Sequence, residues 1–289
     1  PELKLSENIL ASDNLKEVLE GSMIVLVVTP SIVFENIINR IINLIEPNAH
    51  IVSCTKGIKA DPFLSMSDII KISFAKKNNK IGVLSGPNLA KEIADNQVTG
   101  TVIASKSNNL IEDVKKALSS TTFKVYSSND MQGVELAGAL KNIYAIICGM
   151  ADSMKLGENT IGLILTRSMA EMSRFAVAKG ADPTTFLGLA GMGDLVSTCT
   201  SNLSRNFQLG HYLGLGQSLK EAKDKVGQVA EGIRTLEVVK KESAIHGISM
   251  PLVDSLHAII HNQAKPSQLI KDLINNPNEI DVEFANIQY

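Results

Sequence analysis

The hydrophobic pattern of this 289-residue chain changes period once, near Asn129, and that change limits the folds open to it. Before it come short apolar runs of strand length, each closed by turn residues. Met23 to Val28 reads MIVLVV, an unbroken and largely β-branched run ended by Thr29-Pro30-Ser31. It predicts a buried parallel strand followed by a helix over Ile32 to Ile45. A second run, His50 to Cys54, stops at Thr55-Lys56-Gly57, and a third, Ile81 to Leu84, stops at Ser85-Gly86-Pro87-Asn88. Thr101 to Ala104 and Phe123 to Tyr126 are further strands, with a polar helix over Leu110 to Leu118 between them. Strands alternating with helices make βαβ units, so residues 1–129 read as an α/β domain. After Asn129 every periodic segment has helical spacing, and residues 130–289 read as an all-α domain.

Within that second domain, Gly133 to Met150 places Leu136, Leu140, Ile143 and Ile147 on one side of a helix, a stripe that must pack against something. Asn159 to Lys179 is the clearest helix, with Ile161, Leu165, Met169, Met172 and Ala176 on a stripe, an Arg167–Glu171 pair, and Gly180 as its stop. Further helices are predicted over Gly227 to Ala244, Leu252 to Asn262 and Ser267 to Ile274, and the chain from Asn275 reads as an acidic tail.

Composition excludes some function classes. A net charge of -2 and a pI near 6.3 supply no basic field for nucleic acid, while leaving room for a local anion pocket. The cysteines, Cys54, Cys148 and Cys199, are scattered, lack metal-site spacing and suit a reducing, cytoplasmic setting, so no metal is expected. No apolar run reads as transmembrane and the start lacks the order of a secretory signal, so no membrane insertion is expected. Pro1 has no Met before it, so a native start further upstream is expected.

Four stretches carry candidate chemistry. Lys141 sits among Ala137, Gly138 and Ala145, small enough that its ammonium can share a cavity with a ligand; the alternative is a solvated surface lysine. Lys56 directly follows a strand, at the sheet edge where ligands of parallel sheets collect, and either holds an anion or is a loop lysine. Ser85-Gly86-Pro87-Asn88 offers close backbone approach at Gly86 and an amide at Asn88 that binds a ligand or caps a helix. Finally, Gly191 to Asn206 contains the carboxylate Asp194 and the triplet Ser204-Arg205-Asn206. With Ser201 or Asn202 as N-cap, the triplet lies in a first helical turn, an anion site, or else in an ordinary capped helix.

Taken together, SGPNLAKEIA from Ser85, GVELAGALKNIYAI from Gly133, LAGMGDLVSTCTSNLSRN from Leu189 and VGQVAEG from Val226 resemble the bacterial NAD(P)-dependent glycerol-3-phosphate dehydrogenases. The match is collinear and covers nearly the whole chain. It implies a Rossmann-type domain followed by a helical one, NAD or NADP as cofactor, glycerol 3-phosphate and dihydroxyacetone phosphate as substrates, and a homodimer. It implies that Lys141 is the catalytic proton acceptor, and that Lys56, Gly86, Asn88, Asp194, Ser204, Arg205 and Asn206 hold the substrate. Lys56, Ala90, Arg205, Val229 and Glu231 match cofactor positions. Asn88 departs from the family's usual serine or threonine but keeps a hydrogen-bonding group.

The family also begins with a strand, a glycine-rich turn and a helix that cradle the cofactor pyrophosphate, and this chain opens past them; as written it is therefore expected not to turn over. A lysine serves as base near neutrality only if its pKa falls, through desolvation and neighbouring cations such as Lys56 and Arg205, with Asp194 orienting Lys141 or the substrate hydroxyls. Two other readings stay open. One is a 3-hydroxy-acid dehydrogenase of related build, which has less use for the Ser204 to Asn206 triplet; the other is a non-catalytic dimerisation or binding chain.

Overall fold

The computed structural model describes residues 6–227, 230–261 and 264–269. A helical turn, α1 (Leu15–Leu19), leads into β1 (Ile24–Val27), α2 (Ser31–Ile41) and β2 (His50–Ser53). A small hairpin of β3 (Ile58–Lys59) and β4 (Leu64–Ser65) precedes α3 (Met66–Ser73) and β5 (Ile81–Ser85). Then come α4 (Ala90–Ala94), β6 (Thr99–Ser105), α5 (Asn108–Leu118) and β7 (Phe123–Ser128). From there each described element is helical: α6 (Met131–Ser153), α7 (Glu158–Ala178), α8 (Asp194–Cys199), α9 (Arg205–Gly214), α10 (Leu219–Val226), α11 (Glu231–His246) and α12 (Pro251–Ile260). A 3-10 turn at Pro183–Leu187 and a π turn at Leu189–Gly193 join α7 to α8.

The main sheet has the order β1-β2-β5-β6-β7. β1, β2 and β5 are parallel, as alternating strands and helices require, but β6 runs antiparallel to β5 before pairing parallel with β7. The reversal has a geometric cause. α4 has five residues and rises about 7.5 Å, whereas the five residues of β5 extend about 17 Å, so α4 is too short to carry the chain back for a parallel pairing. The result is a Rossmann-like mixed sheet followed by helices.

β2 is buried, as its branched residues predict. β1 is not: it is an edge strand among the described residues, with Met23, Leu26 and Val28 exposed and only Val27 sealed against α2 and α3. Other boundaries move too. α2 stops at Ile41, short of Ile45. The helix expected from Gly227 begins at Glu231, because Gly227 is the left-handed cap (φ 66°) that ends α10. The helix expected over Ser267 to Ile274 runs out of the described residues after Leu269, and the tail from Asn275 lies outside them.

α6 is the axis of the helical half. Its 23 residues span about 35 Å. The sequence shows one apolar stripe, yet the structure buries Gly133 through Ala151 on every face. α7, α8, α9 and α11 surround it. By length and composition alone α6 would also cross a membrane, contrary to the sequence reading, but its apolar window is wholly inside the protein. Against α9 the contact is backbone to backbone: a Cβ at Gly210 would stand 1.9 Å from the Ile146 carbonyl oxygen, and one at Gly149 2.0 Å from that of Phe207. Glu171 on α7, read as the partner of Arg167, is also turned inward, where it accepts from Tyr144 Oη and from the backbone N–H groups of Leu252 and Val253.

Two carboxylates of the helical half grip helix starts in the sheet half. Glu135 on α6 accepts the backbone N–H (2.8 Å) and hydroxyl (2.7 Å) of Ser67 at the start of α3. Glu231, the first residue of α11, accepts the N–H (3.0 Å) and hydroxyl (2.8 Å) of Ser31, the first residue of α2. Both serines offer N–H groups that no intrahelical carbonyl can reach.

Candidate active site

The loops after β1 and β2 and the end of β5 converge on the middle of α6 and the first turn of α9, enclosing a cavity of about 560 Å³. Val28 to Pro30, Cys54 to Lys56 and Leu84 line it from the sheet; Lys141, Asn142, Arg205, Asn206 and Glu231 line it from the helices. This is the strand end at which open parallel sheets collect ligands. A larger cavity of about 960 Å³, between β7 and the turns before α8, is lined by none of the catalytic, substrate or cofactor positions expected from the sequence, so size does not mark the site.

Lys141 is 6% exposed, which rules out the surface-lysine alternative. Its Nζ donates to Asp194 Oδ1 and to Thr198 Oγ1. Asp194 and Thr198 lie four residues apart on α8, so one helix face presents both acceptors. Lys56 donates to the other Asp194 oxygen, Oδ2, at 2.6 Å, and to the Gly86 carbonyl at 3.0 Å. One fully buried carboxylate thus holds two ammonium groups, one on each oxygen. Burial, and then the Lys56 charge, bring the Lys141 pKa down to about 7, against the opposing pull of Asp194.

The small residues beside Lys141 admit protein before ligand. A Cβ at Gly138 would stand 2.4 Å from Ser85 Oγ and 3.6 Å from Lys56 Cγ, so this glycine lets the β5 end and the second lysine approach α6. Asn88 does not cap α4, whose N-cap is Leu89. Instead its Nδ2 donates to Thr101 Oγ1, which itself donates to the Ser85 carbonyl. That chain fixes the amide orientation and leaves Asn88 Oδ1 buried and unpartnered at the cavity.

The triplet divides. Ser204, not Ser201 or Asn202, is the N-cap of α9, its Oγ accepting from Phe207 N at 3.3 Å; it is buried beside the cavity and is not among the residues that line it. Arg205 is the first helical residue and lines the cavity. Asn206 is largely committed to the fold: its Nδ2 donates to Asn142 Oδ1 and its Oδ1 accepts from Gly232 N, joining α6, α9 and α11. Of the remaining positions, Ala90 and Glu231 line the cavity, while Val229 lies outside the described residues. Thr198, Asn142 and Ser31 are parts of this arrangement that sequence reasoning missed. Cys54 also lines it, but burial raises its thiol to about 12, which makes it a poor nucleophile.

The dinucleotide implied by the sequence fits these residues. Besides Asn88 Oδ1, the hydroxyl of Thr29 is buried without a partner at the cavity, Lys56 and Arg205 supply cations, and Val28, Leu84 and Ala90 supply apolar wall. Lys56, Ala90, Arg205 and Glu231 are the described residues that would hold it.

Residues 1–111 match the N-terminal family of NAD-dependent glycerol-3-phosphate dehydrogenases, and residues 130–271 match the C-terminal family. The glycerol-3-phosphate dehydrogenase [NAD(P)+] of Alcanivorax borkumensis is 45% identical over 98% of this chain and 82% of its own length. That of Saccharophagus degradans is 46% identical over 98% of this chain and 79% of its own. The crystal structure of glycerol-3-phosphate dehydrogenase from Coxiella burnetii superposes with a TM-score of 0.90 at 37% identity, covering 95% of this chain and 84% of that one. Matched in both halves and along nearly its whole length, the chain belongs to the NAD-dependent glycerol-3-phosphate dehydrogenase family.

Proposed function

We propose that the cavity around Lys141 is where this NAD(P)-dependent oxidoreductase interconverts sn-glycerol 3-phosphate and dihydroxyacetone phosphate, supplying glycerol 3-phosphate for phospholipid synthesis. The observation that carries the reading is one buried amine with a pKa of about 7, opening into the same cavity as two other cations. When bound, the nicotinamide supplies the hydride chemistry at C2. Lys141, as the neutral amine, accepts the C2 hydroxyl proton during oxidation; as the ammonium, it returns that proton to the ketone oxygen during reduction. Asp194, fully buried behind Lys141 and Lys56, positions both amines through its two oxygens. Thr198 holds the Lys141 amine from the same helix face.

Arg205 takes the phosphate. It stands at the positive end of α9, where a guanidinium and the first helical N–H groups act together on an anion, with the Ser204 hydroxyl as a further donor. Lys56, Gly86 and Asn88 hold the glycerol end from the sheet side. In this division residues 1–129 serve the dinucleotide and residues 130–289 supply the proton carrier and the phosphate site. The chain works as a cytoplasmic homodimer without membrane insertion; the buried state of α6 supports the last point.

The test is Lys141→Ala in the full-length enzyme. kcat should fall at least about a hundredfold, the usual weight of a positioned acid or base, while KM moves less. Activity within a few-fold of the parent would remove Lys141 from the chemistry.

A further inference from the structure

We propose that Glu237, His257 and His261 form a binding site for a divalent transition-metal ion of the zinc type, clipping α11 to α12. None of the three lines the active-site cavity. His257 and His261 are one helical turn apart on α12 and its C-cap, so their rings stand on one face, with centroids 4.4 Å apart. Glu237, on α11, reaches between them: Oε1 lies 3.0 Å from His261 Nε2, and Oε2 lies 3.4 Å from His257 Nε2.

One ring nitrogen of each histidine and a carboxylate oxygen of Glu237 lie within 4.8 Å of one another. Zinc bonds of about 2.0 to 2.2 Å in tetrahedral geometry place ligand atoms roughly 3.4 Å apart. Small side-chain rotations close that difference. The side chains of Glu237, His257 and His261 are 45%, 23% and 45% exposed, which leaves them free to rotate and an ion free to enter from solvent.

The frame beneath is rigid where the ligands are adjustable. Leu236 and Val239 of α11 and Leu256 and Ile260 of α12 are buried in one core. Lys240 Nζ donates to Asp254 Oδ1 at 2.7 Å, a second tie across the same seam. Sites presented by packed helices hold their geometry better than sites on loops. Two imidazoles and one carboxylate select zinc and its first-row neighbours over magnesium or calcium, which take oxygen ligands, and three protein ligands leave a fourth position for water.

The experiment titrates chelator-treated, full-length protein with Co²⁺ as a visible probe, then with Zn²⁺ in competition. One Co²⁺ per chain should bind with the d–d absorption of a low-coordinate nitrogen and oxygen site, without the thiolate charge-transfer band that Cys54, Cys148 or Cys199 would add, and Zn²⁺ should displace it. Loss of a second-shell partner alone weakens metal sites about 10- to 100-fold, so Glu237→Gln, His257→Ala and His261→Ala should each weaken binding at least about tenfold. His246→Ala, whose imidazole pairs with Glu242 instead, should bind as the parent does. His257→Gln and His261→Gln replace the alanine variants should those melt early without metal. No saturable Co²⁺ or Zn²⁺ binding by the parent, parental affinity in all three ligand variants, or Mg²⁺ competing as well as Zn²⁺ would each overturn the site.

Discussion

Glu231 accepts both the backbone N–H and the hydroxyl of Ser31, 200 residues earlier in the chain. α2 has Pro30 as its N-cap and no side-chain cap of its own, so the carboxylate that completes its first turn comes from the other half of the protein. The same Glu231 lines the cavity. Glu231→Ala should therefore do two things. Stability should fall by about 1 to 3 kcal/mol, the range for a charged hydrogen-bond acceptor removed from partly buried donors. KM for the dinucleotide should rise. Urea denaturation and steady-state kinetics measure these separately, and an unchanged KM would show that the carboxylate serves the fold alone.

The lowered pKa of Lys141 makes the two reaction directions respond oppositely to pH. kcat/KM for glycerol 3-phosphate oxidation, which needs the neutral amine, should rise through about pH 7 and level off above it; for ketone reduction, which needs the ammonium, it should fall over the same range. Asp194 raises this pKa, so Asp194→Asn should move the oxidation limb to lower pH while lowering kcat, because Lys141 also loses its hold. A pH profile identical in parent and Asp194→Asn would separate the limb from Lys141.

The same shift appears in stability. Unfolded, a lysine keeps its proton to about 10.5, whereas folded Lys141 releases it near 7. Between these values the unfolded chain binds more protons, so the contribution of this group to stability rises with pH across that window. Lys141→Met should flatten the slope of unfolding free energy against pH from 7 to 10, read by urea titrations at several pH values.

Arg205 separates the phosphate from the rest of the substrate. Arg205→Ala removes a charge-assisted contact of roughly 1.5 to 3 kcal/mol, about ten- to a hundredfold in affinity. kcat/KM should drop strongly for dihydroxyacetone phosphate and little for unphosphorylated dihydroxyacetone. Ser204→Ala should cost less, and Asn206→Ala should act mainly on stability, because its amide joins three helices. Equal discrimination by parent and Arg205→Ala would send the search for the phosphate to Lys56.

Two glycine substitutions should have opposite signs. Gly210→Ala drives a methyl into the Ile146 carbonyl of α6 and should cost about 1 to 3 kcal/mol or more. Gly162→Ala, inside α7 with no atom within 4 Å of the added carbon, should stabilise by up to about 1 kcal/mol. Melting curves of the two variants test both.

What the sequence made legible follows from the range of the interaction concerned. The strand runs and the change of period near Asn129 are local patterns, and they recur in the sheet and the helices after it. The capping boxes of Ser65 with Asp68 and Ser218 with Glu221 are equally local, and reading them would have found α3 and α10. α8 was hidden for another reason: a π turn leads straight into it, and the glycines of that turn imitate a loop, so the Asp194–Thr198 face could not be read. The grips of Glu135 on Ser67 and Glu231 on Ser31 join residues 68 and 200 positions apart, and no local spacing encodes them.

A helix wrapped on every side has no free face around which a partial core can settle. Until α9 and α11 arrive, α6 would expose an apolar surface of membrane-spanning length to water, and α9, whose glycines are shaped to its carbonyls, lies more than fifty positions later along the chain. A nascent chain that has emerged only as far as α7 therefore still lacks the α9 and α11 cover of that surface, the kind of exposed apolar face that aggregates and that chaperones bind.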